Sequence, residues 1–173
     1  MNFAWLAQHV ENDNSFIKKL TKYIRRSHLE VWQTSLHSSS KLSLYRTIKT
    51  AYSHEHYLNI LNVRKYRHAY AQFRPGFHEL DIEKGRYNYM PFTDRLCNIC
   101  NLGQVGNERH FILICPVFDD IRKRCSAIDS INTPTVDTFY ALPNRYDLVV
   151  KHLASYIFFI YYALQRRRKF LTL

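Results

Sequence analysis

The sequence of 173 residues lacks the short motifs that mark several common enzyme classes. It contains no GxxxxGKS or GxxxxGKT phosphate loop, no GxSxG nucleophile turn and no HExxH zinc pair. The adjacent acids Asp119 and Asp120 lack the preceding hydrophobic strand and the third carboxylate that a polymerase site needs, so two surface acids are the favoured interpretation. We therefore predict no active site, and we expect no small-molecule substrate.

The chain also lacks a long apolar run and an N-terminal leader. Its most apolar segment, HLASYIFFIYYAL, lies between Lys151 and Arg166 and is shorter than the roughly 20 residues that a membrane-spanning helix needs. We expect this segment to form a core helix of a protein that does not enter a membrane. The N-terminus does not show a charged segment followed by an apolar one, which is the pattern of a secretion signal. The expected location is therefore intracellular, in the nucleus or the cytoplasm.

Cysteine is scarce, and three of the four cysteines belong to one motif. The spacing Cys97-x2-Cys100-x9-His110-x4-Cys115 supplies three thiols and one imidazole, the donors that Zn²⁺ prefers. Four protein ligands leave no open position for water or substrate, so the motif predicts one structural zinc and argues against a zinc hydrolase. The alternative is three buried free cysteines and a surface histidine, since a free cysteine behaves as a small hydrophobic residue.

The residues around the motif support a metal site. The segment between Cys100 and His110 is rich in asparagine and glycine, which tolerate tight turns. Asn107 is a candidate N-cap for a short helix that carries His110 towards the metal, with Glu108 in its first turn. Pro116 suggests that this helix ends there, which would let Cys115 swing inward from the helix terminus.

Acidic residues are few, with 14 Asp and Glu against 25 Lys and Arg, and the formal net charge is +11. Basic runs with interleaved aromatic and histidine residues suit nucleic acid, because cations neutralise phosphates and rings stack on bases. The alternative for each single run is a solvated helix face. The candidate nucleic-acid contacts are Arg25, Arg26, Arg64, Lys65, Arg67, Arg74, Arg86, Arg122, Lys123, Arg124, Arg166, Arg167 and Arg168.

Hydrophobic periodicity predicts a mainly α protein, a small helical domain organised around the zinc site. The clearest pattern is a basic amphipathic helix from Ser15 to about Leu36. The segment from Phe77 to Leu96 could be extended or a short helix. We divide the chain into a basic helical region at 1–62, a zinc-binding module at 63–130 and a C-terminal helical region at 131–173, which we expect to pack into one compact unit.

Two longer segments resemble a known family. SKLSLYRTIKTAYSHEHYL and FRPGFHELDIEKGRYNYMPFTDRLCNICNLGQVGNERHFILICPVF are similar to the C-terminal zinc-binding region of reverse transcriptases from non-long-terminal-repeat retrotransposons of animals. In that family, a Cys-x2-Cys pair followed by Glu-x-His-Phe and Cys-Pro forms a zinc element behind the polymerase domain. The matching positions are the four ligands, the framing residues Glu108, Phe111 and Pro116, and the residues Ile82, Glu83, Gly85, Arg86 and Tyr87.

The resemblance implies an accessory region that helps a retroelement polymerase to hold its template RNA or target DNA. This chain contains neither polymerase nor endonuclease motifs, so the resemblance does not extend to catalytic activity. The expected partners are nucleic acid and a reverse-transcriptase core. The alternative is a protein-interaction or scaffold domain, in which zinc only holds the helices and the aromatic C-terminal helix docks on a partner.

Overall fold

The computed structural model describes residues 14–49, 51–55, 57–125, 128 and 146–172, with side chains from Ser15 onward and, in the last segment, from Leu153 onward. The chain divides into two compact units, Met1–Ser39 and Ser40–Leu173. The boundary that we predicted between residues 62 and 63 lies inside the second unit. The boundary predicted between residues 130 and 131 lies outside the described residues.

The first unit contains helix α1, Asn14–Ser38. Its basic side chains are exposed, as the amphipathic pattern predicted, and Arg26 pairs with Glu30 one turn later at 3.0 Å. Such an exposed pair contributes only about 0.3–0.5 kcal/mol. Several apolar residues at helical spacing are exposed as well, among them Ile17, Leu20 and Ile24. The helix therefore presents an apolar stripe beside its basic face.

The second unit is helical, which confirms the predicted fold class. The segment from Phe77 to Leu96 contains a short helix. Within the described residues the only β pairing is an isolated antiparallel bridge between Leu96 and Val105. The α-helices are α2 Ser43–Ile48, α3 Tyr57–Ile60, α4 Arg64–Phe73, α5 Asp81–Tyr87, α6 Asp119–Lys123 and α7 Tyr146–Leu171; short 3₁₀ turns cover Ser40–Leu42, Phe92–Asp94 and Pro116–Phe118, and a π-helix covers His110–Ile114.

Helix α7 forms the centre of the core, as predicted for the apolar C-terminal segment. It packs against α3, α4 and α6, and its side chains Ile157, Phe159 and Ile160 are buried. The ring of Phe111 links this helix to the metal motif, because its centroid lies 5.8 Å from that of Phe159 and 4.9 Å from that of Phe118. None of the helices in the described residues is both long and apolar enough to cross a membrane.

A buried ion pair stabilises the other end of the core. Arg74 donates to Glu55 at 2.7 Å, and its guanidinium lies 5.2–5.5 Å from the ring centroids of Tyr45, Tyr57 and Tyr70. Burial raises the pKa of Glu55, but the hydrogen bond and charge of Arg74 outweigh this effect and leave the pKa below its usual value. Arg74 is only 4% exposed, so its assignment as a nucleic-acid contact is corrected: this arginine is part of the core.

Helix α5 ends in an unfavourable conformation. The N–H of Met90 bonds to the carbonyl of Gly85 and the N–H of Tyr89 bonds to that of Arg86, which is the hydrogen-bond pattern of a Schellman C-cap. Tyr89 therefore occupies the left-handed position, with φ of 54°, where glycine is the usual residue. Its side chain is 95% exposed, so packing within the described structure does not compensate for this strain.

We expect Tyr89→Gly to raise the free energy of unfolding by about 1 kcal/mol, because glycine adopts the left-handed conformation without a Cβ clash. Urea unfolding followed by circular dichroism measures the change. Tyr89→Ala is the matched control: it removes the ring but keeps the Cβ, so its stability should stay close to that of the wild type. A glycine variant that is less stable than the alanine variant would contradict the assigned strain.

Candidate metal centre

The first two cysteines lie on a short hairpin. The bridge between Leu96 and Val105 is extended by hydrogen bonds from the N–H of Cys97 to the carbonyl of Gln104 at 2.8 Å and from the N–H of Gly106 to that of Arg95 at 2.9 Å. The loop between the two arms carries Cys100, and Gly103 supplies a positive φ of 61°. This turn brings both Cys-x2-Cys sulfurs to one side, as the spacing predicted.

Gly106 permits this hairpin to pack against helix α5. A Cβ at residue 106 would lie 2.6 Å from Oδ2 of Asp81 and 3.1 Å from Cα of Cys97, and neither position can be vacated cheaply. The carbonyl of Gly106 also accepts a hydrogen bond from the N–H of Ile82 at 3.1 Å. Glycine is therefore required at residue 106 because the backbone and Asp81 approach it so closely, and not because the turn needs a conformation that only glycine adopts.

The other two ligands lie on one helical segment with an unusual turn. Asn107 caps this segment through its side chain, whose Oδ1 accepts from the N–H of His110 at 2.8 Å, which confirms the predicted cap. In an α-helix, residues five apart point about 140° away from each other. Here residues His110–Ile114 form a π-helix that closes with a bond from the N–H of Cys115 to the carbonyl of His110 at 2.8 Å. The wider turn lets both side chains face the same centre.

The four predicted ligands converge. One ligand atom from each of Cys97, Cys100, His110 and Cys115 lies within 4.8 Å of every other, and Sγ of Cys100 is 3.3 Å from Nε2 of His110. A tetrahedral site with metal–sulfur bonds of about 2.3 Å has ligand atoms about 3.8 Å apart, so the cluster is close to the required size. Cys97, His110 and Cys115 are buried, and Cys100 is half-buried. These residues can hold a metal ion.

Gln104 orients the histidine. Its Oε1 lies 3.4 Å from Nδ1 of His110, on the ring edge opposite Nε2. A metal-binding histidine usually donates its second N–H to such an acceptor, which fixes the tautomer and the ring orientation. Nε2 is therefore the atom of His110 that is available to a metal ion. The sequence pattern did not reveal Gln104, because no spacing rule identifies an outer ligand partner.

Hydrogen bonds and burial shift the pKa values of the three clustered thiols in different directions. A hydrogen bond from Cys115 lowers the pKa of Cys97 to about 3, and the same bond raises the pKa of Cys115. Burial raises the pKa of Cys100. The shared hydrogen bond thus favours the thiolate form of Cys97 and the protonated form of Cys115. A metal ion would replace those protons, because it binds thiolate and its binding releases protons to solvent.

A buried arginine from α7 connects the hairpin to the rest of the unit. Arg167 is 2% exposed, and its Nη2 lies 2.9 Å from Oδ2 of Asp81 and 3.2 Å from Oδ1 of Asn98, between the first two cysteines. Its Nε also donates to the carbonyl of Glu79 at 3.1 Å. Asp81 in turn accepts from the N–H of Asn98 at 3.2 Å. The predicted role of Arg167 in nucleic-acid binding is therefore corrected: it positions the metal hairpin.

The remaining residues of the family-like motif also make internal contacts. Glu108 pairs with the buried His78 at 3.1 Å, and although burial raises the pKa of Glu108, the hydrogen bond and charge of His78 leave it lowered. Glu83 is buried and pairs with Arg86. Gly85 leaves room for the side chain of Arg95, which donates to the carbonyl of Met90. These positions therefore serve the internal packing of the second unit.

The predicted nucleic-acid contacts fall into three groups. Arg74 and Arg167 are buried, as described above. Arg86, Arg122 and Arg166 are partly exposed and form ion pairs with Glu83, Asp119 and Asp120, respectively. Arg122 additionally donates to the carbonyls of Ile112 and Cys115, at 2.8 and 2.9 Å. The exposed or partly exposed residues outside these two groups are Arg25, Arg26, Arg64, Lys65, Arg67, Lys123, Arg124 and Arg168.

Comparison of the chain with protein-family models, with curated proteins and with solved structures finds no match.

We expect the purified protein to contain about one metal ion per chain, and Cys115→Ser to lose it and to unfold more easily, because metal-binding energy contributes to folding at such sites. Elemental analysis after dialysis and thermal unfolding measure both effects. Cys125→Ser is the matched control, since Cys125 lies outside the cluster and should be dispensable for the metal. Full metal content in Cys115→Ser would contradict the assigned ligand set.

Gln104→Ala should weaken metal affinity by about 10- to 100-fold.

We expect Arg167→Ala to lower the free energy of unfolding by about 3–5 kcal/mol, because it leaves the charge of Asp81 buried without its partner. Chemical denaturation measures the loss. Arg168→Ala is the matched control: its side chain is half exposed and lies 3.5 Å from Glu79, so its removal should cost at most about 1 kcal/mol. Equal losses in the two variants would refute the positioning role of Arg167.

Proposed function

We propose that this protein is a zinc-stabilised nucleic-acid-binding accessory module of a non-long-terminal-repeat retrotransposon reverse transcriptase, without catalytic activity of its own. One observation carries the proposal: among the side chains that the structure describes, all acidic groups but Asp94 form specific ion pairs, and the basic residues without an acidic partner lie at the surface. The resemblance of the metal motif and its supporting residues to the zinc element of these reverse transcriptases supports the same assignment.

The donor set favours zinc as the metal. Three thiolates and one imidazole are soft or borderline donors, which suit Zn²⁺ and do not suit Mg²⁺ or Ca²⁺. All four positions of a tetrahedron would be filled by protein, so the metal would stabilise structure and would not activate water. The position of the cluster supports this role, because two ligands lie on the hairpin and two on the π-turn, so that one ion would join the two structures.

The distribution of acids explains why the basic surface is uncompensated. Among the residues whose side chains the structure describes, every Asp and Glu except Asp94 pairs with a cationic or histidine side chain, while Arg64, Arg67, Lys123, Arg124 and Lys169 have no acidic partner. A field of one sign attracts polyanions and releases their counterions. The surplus charge is therefore available to phosphates.

Part of this charge borders aromatic rings of α4 and α7. Lys65 lies 5.0 Å from the ring centroid of Tyr66 and 5.3 Å from that of Tyr161. On α7, Phe158 and Tyr162 line a groove of about 380 Å³ together with Arg124, Arg166 and Lys169. We name this groove the α6–α7 groove. Its combination of cations and rings suits a nucleic-acid strand.

The second candidate is a protein-interaction module, which the exposed apolar stripe of α1 favours. Ile17, Leu20, Ile24 and Val31 recur at helical spacing and are exposed. An amphipathic helix of this kind can dock in the groove of a partner protein. Salt separates the two candidates, because phosphate binding weakens steeply as salt rises whereas apolar docking does not.

We expect the protein to bind a duplex DNA probe at low salt, with affinity that falls linearly on a logarithmic salt scale. Replacing both Arg124 and Lys169 with alanine should weaken binding on the order of tenfold and reduce the salt slope by about 0.9 for each lost phosphate contact. Fluorescence anisotropy measures both quantities.

The matched comparison is the double replacement Lys18→Ala and Lys22→Ala on α1, which removes the same charge from another part of the chain. A similar loss in both double variants would show general attraction and reject the α6–α7 groove. Absence of binding by the wild type to duplex and single-stranded probes at low salt would reject the proposed function.

A further inference from the structure

Several exposed aromatic side chains lie at and just after the C-terminal end of α5. Tyr87 is 68% exposed, Tyr89 is 95% exposed, and Phe92 follows them with more than half of its surface in solvent. Phe77 is 61% exposed, and Lys41 lies over both its ring and the ring of Tyr87. Exposed rings carry a hydrophobic cost in water, so several of them in one segment mark an interaction surface.

The backbone of Tyr89 strengthens this interpretation. As described above, this residue occupies the glycine position of a Schellman cap with φ of 54°. Strained conformations tend to persist at functional sites. The fold thus holds an exposed tyrosine ring at a position where glycine would give a more stable helix end.

A groove lined by two of these rings, Phe77 and Tyr87, carries positive charge, and Tyr89 follows Tyr87 two residues later in the chain. Lys41 lies between two of them, with Nζ 3.8 Å from the ring centroid of Phe77 and 5.4 Å from that of Tyr87, and it donates to the hydroxyl of Tyr87 at 3.0 Å. An ammonium group has three donors, so Lys41 can also bind a phosphate. The same groove, of about 310 Å³, is lined by Arg168.

We propose that this surface binds single-stranded nucleic acid by stacking bases on Tyr87 and Tyr89 while Lys41 and Arg168 contact the adjoining phosphates. The inference rests on the proposed function and adds the form of nucleic acid that is bound. A duplex keeps its bases stacked on one another, whereas a single strand presents free base faces to aromatic residues.

Charge favours a nucleic-acid strand over an apolar peptide at this surface. Lys41 and Arg168 line the groove, and Glu79, its one acidic lining residue, is 3.5 Å from Arg168. A cation lies between the two rings, so a purely apolar ligand would have to desolvate it without compensation. A strand supplies a ring for each aromatic face and a phosphate for each cation.

The test uses the full chain and two kinds of variant at Tyr89. Tyr89→Gly removes the ring and relieves the backbone strain, so a loss of binding cannot result from a weakened fold. Tyr89→Trp keeps a stacking face and should keep affinity. Tyr87→Ala examines the second ring. Tyr52→Ala is the matched control, because Tyr52 is also an exposed tyrosine but lies neither in the groove nor at the C-terminal end of α5.

The probes are a fluorescent oligothymidine strand of about 12 nucleotides, an abasic strand of equal length and a duplex of equal length. We expect Tyr89→Gly and Tyr87→Ala each to weaken oligothymidine binding by about tenfold, with no change for the duplex or the abasic strand. Tyr89→Trp and Tyr52→Ala should bind oligothymidine as the wild type does, and addition of oligothymidine should quench the tryptophan fluorescence of Tyr89→Trp.

The outcomes separate this inference from the proposed function. If the wild type binds the probes, and if Tyr89→Gly and Tyr87→Ala bind oligothymidine with the affinity of the wild type, the stacking surface is rejected and the proposed function stands. Equal losses for oligothymidine, duplex and abasic strand would also reject stacking, because the abasic strand has no bases. If the wild type binds none of the probes, the proposed function fails and the inference fails with it.

Discussion

The convergence of Cys97, Cys100, His110 and Cys115 is the constraint on which the second unit depends. Each pair lies on a separate local structure, a hairpin in one case and a π-turn in the other, and neither structure is long enough to be stable in isolation. The packing of Phe111 against α7 and the bonds from Arg167 to the hairpin bring both structures to the same core. The ligand cluster is therefore formed by tertiary structure and by local sequence together.

Sequence reasoning found the cluster because the requirement for four ligands imposes a visible spacing. It also found the cap at Asn107, since a cap depends only on residues three positions away. The π-turn was not predicted, and the change of helical face between His110 and Cys115 was assigned instead to the end of the helix at Pro116. Periodicity alone cannot reveal a single wider turn, because its hydrogen bond has no characteristic residue type.

The arginines show the opposite limit. Arg167 and Arg168 are adjacent and chemically identical, yet the first is buried against Asp81 and the second is half exposed. A basic run at the end of a helix specifies its charge but not the direction of each side chain, which depends on the helix face and on an acid 86 residues earlier in the chain. Similarly, Arg74 has its partner Glu55 in another segment. Buried pairing is a tertiary property, and for that reason the sequence overestimated the basic surface.

The same pairing separates two functions of charge in this chain. Acids that neutralise buried arginines stabilise the fold and remove themselves from the surface, where they would repel phosphates. The positive charge of the exposed lysines and arginines is then not neutralised by nearby acids. The proposed single strand gives a role to the strained Tyr89 as well: in that proposal the ring contacts a base, which no cation does, and the cations contact phosphates, which no ring does.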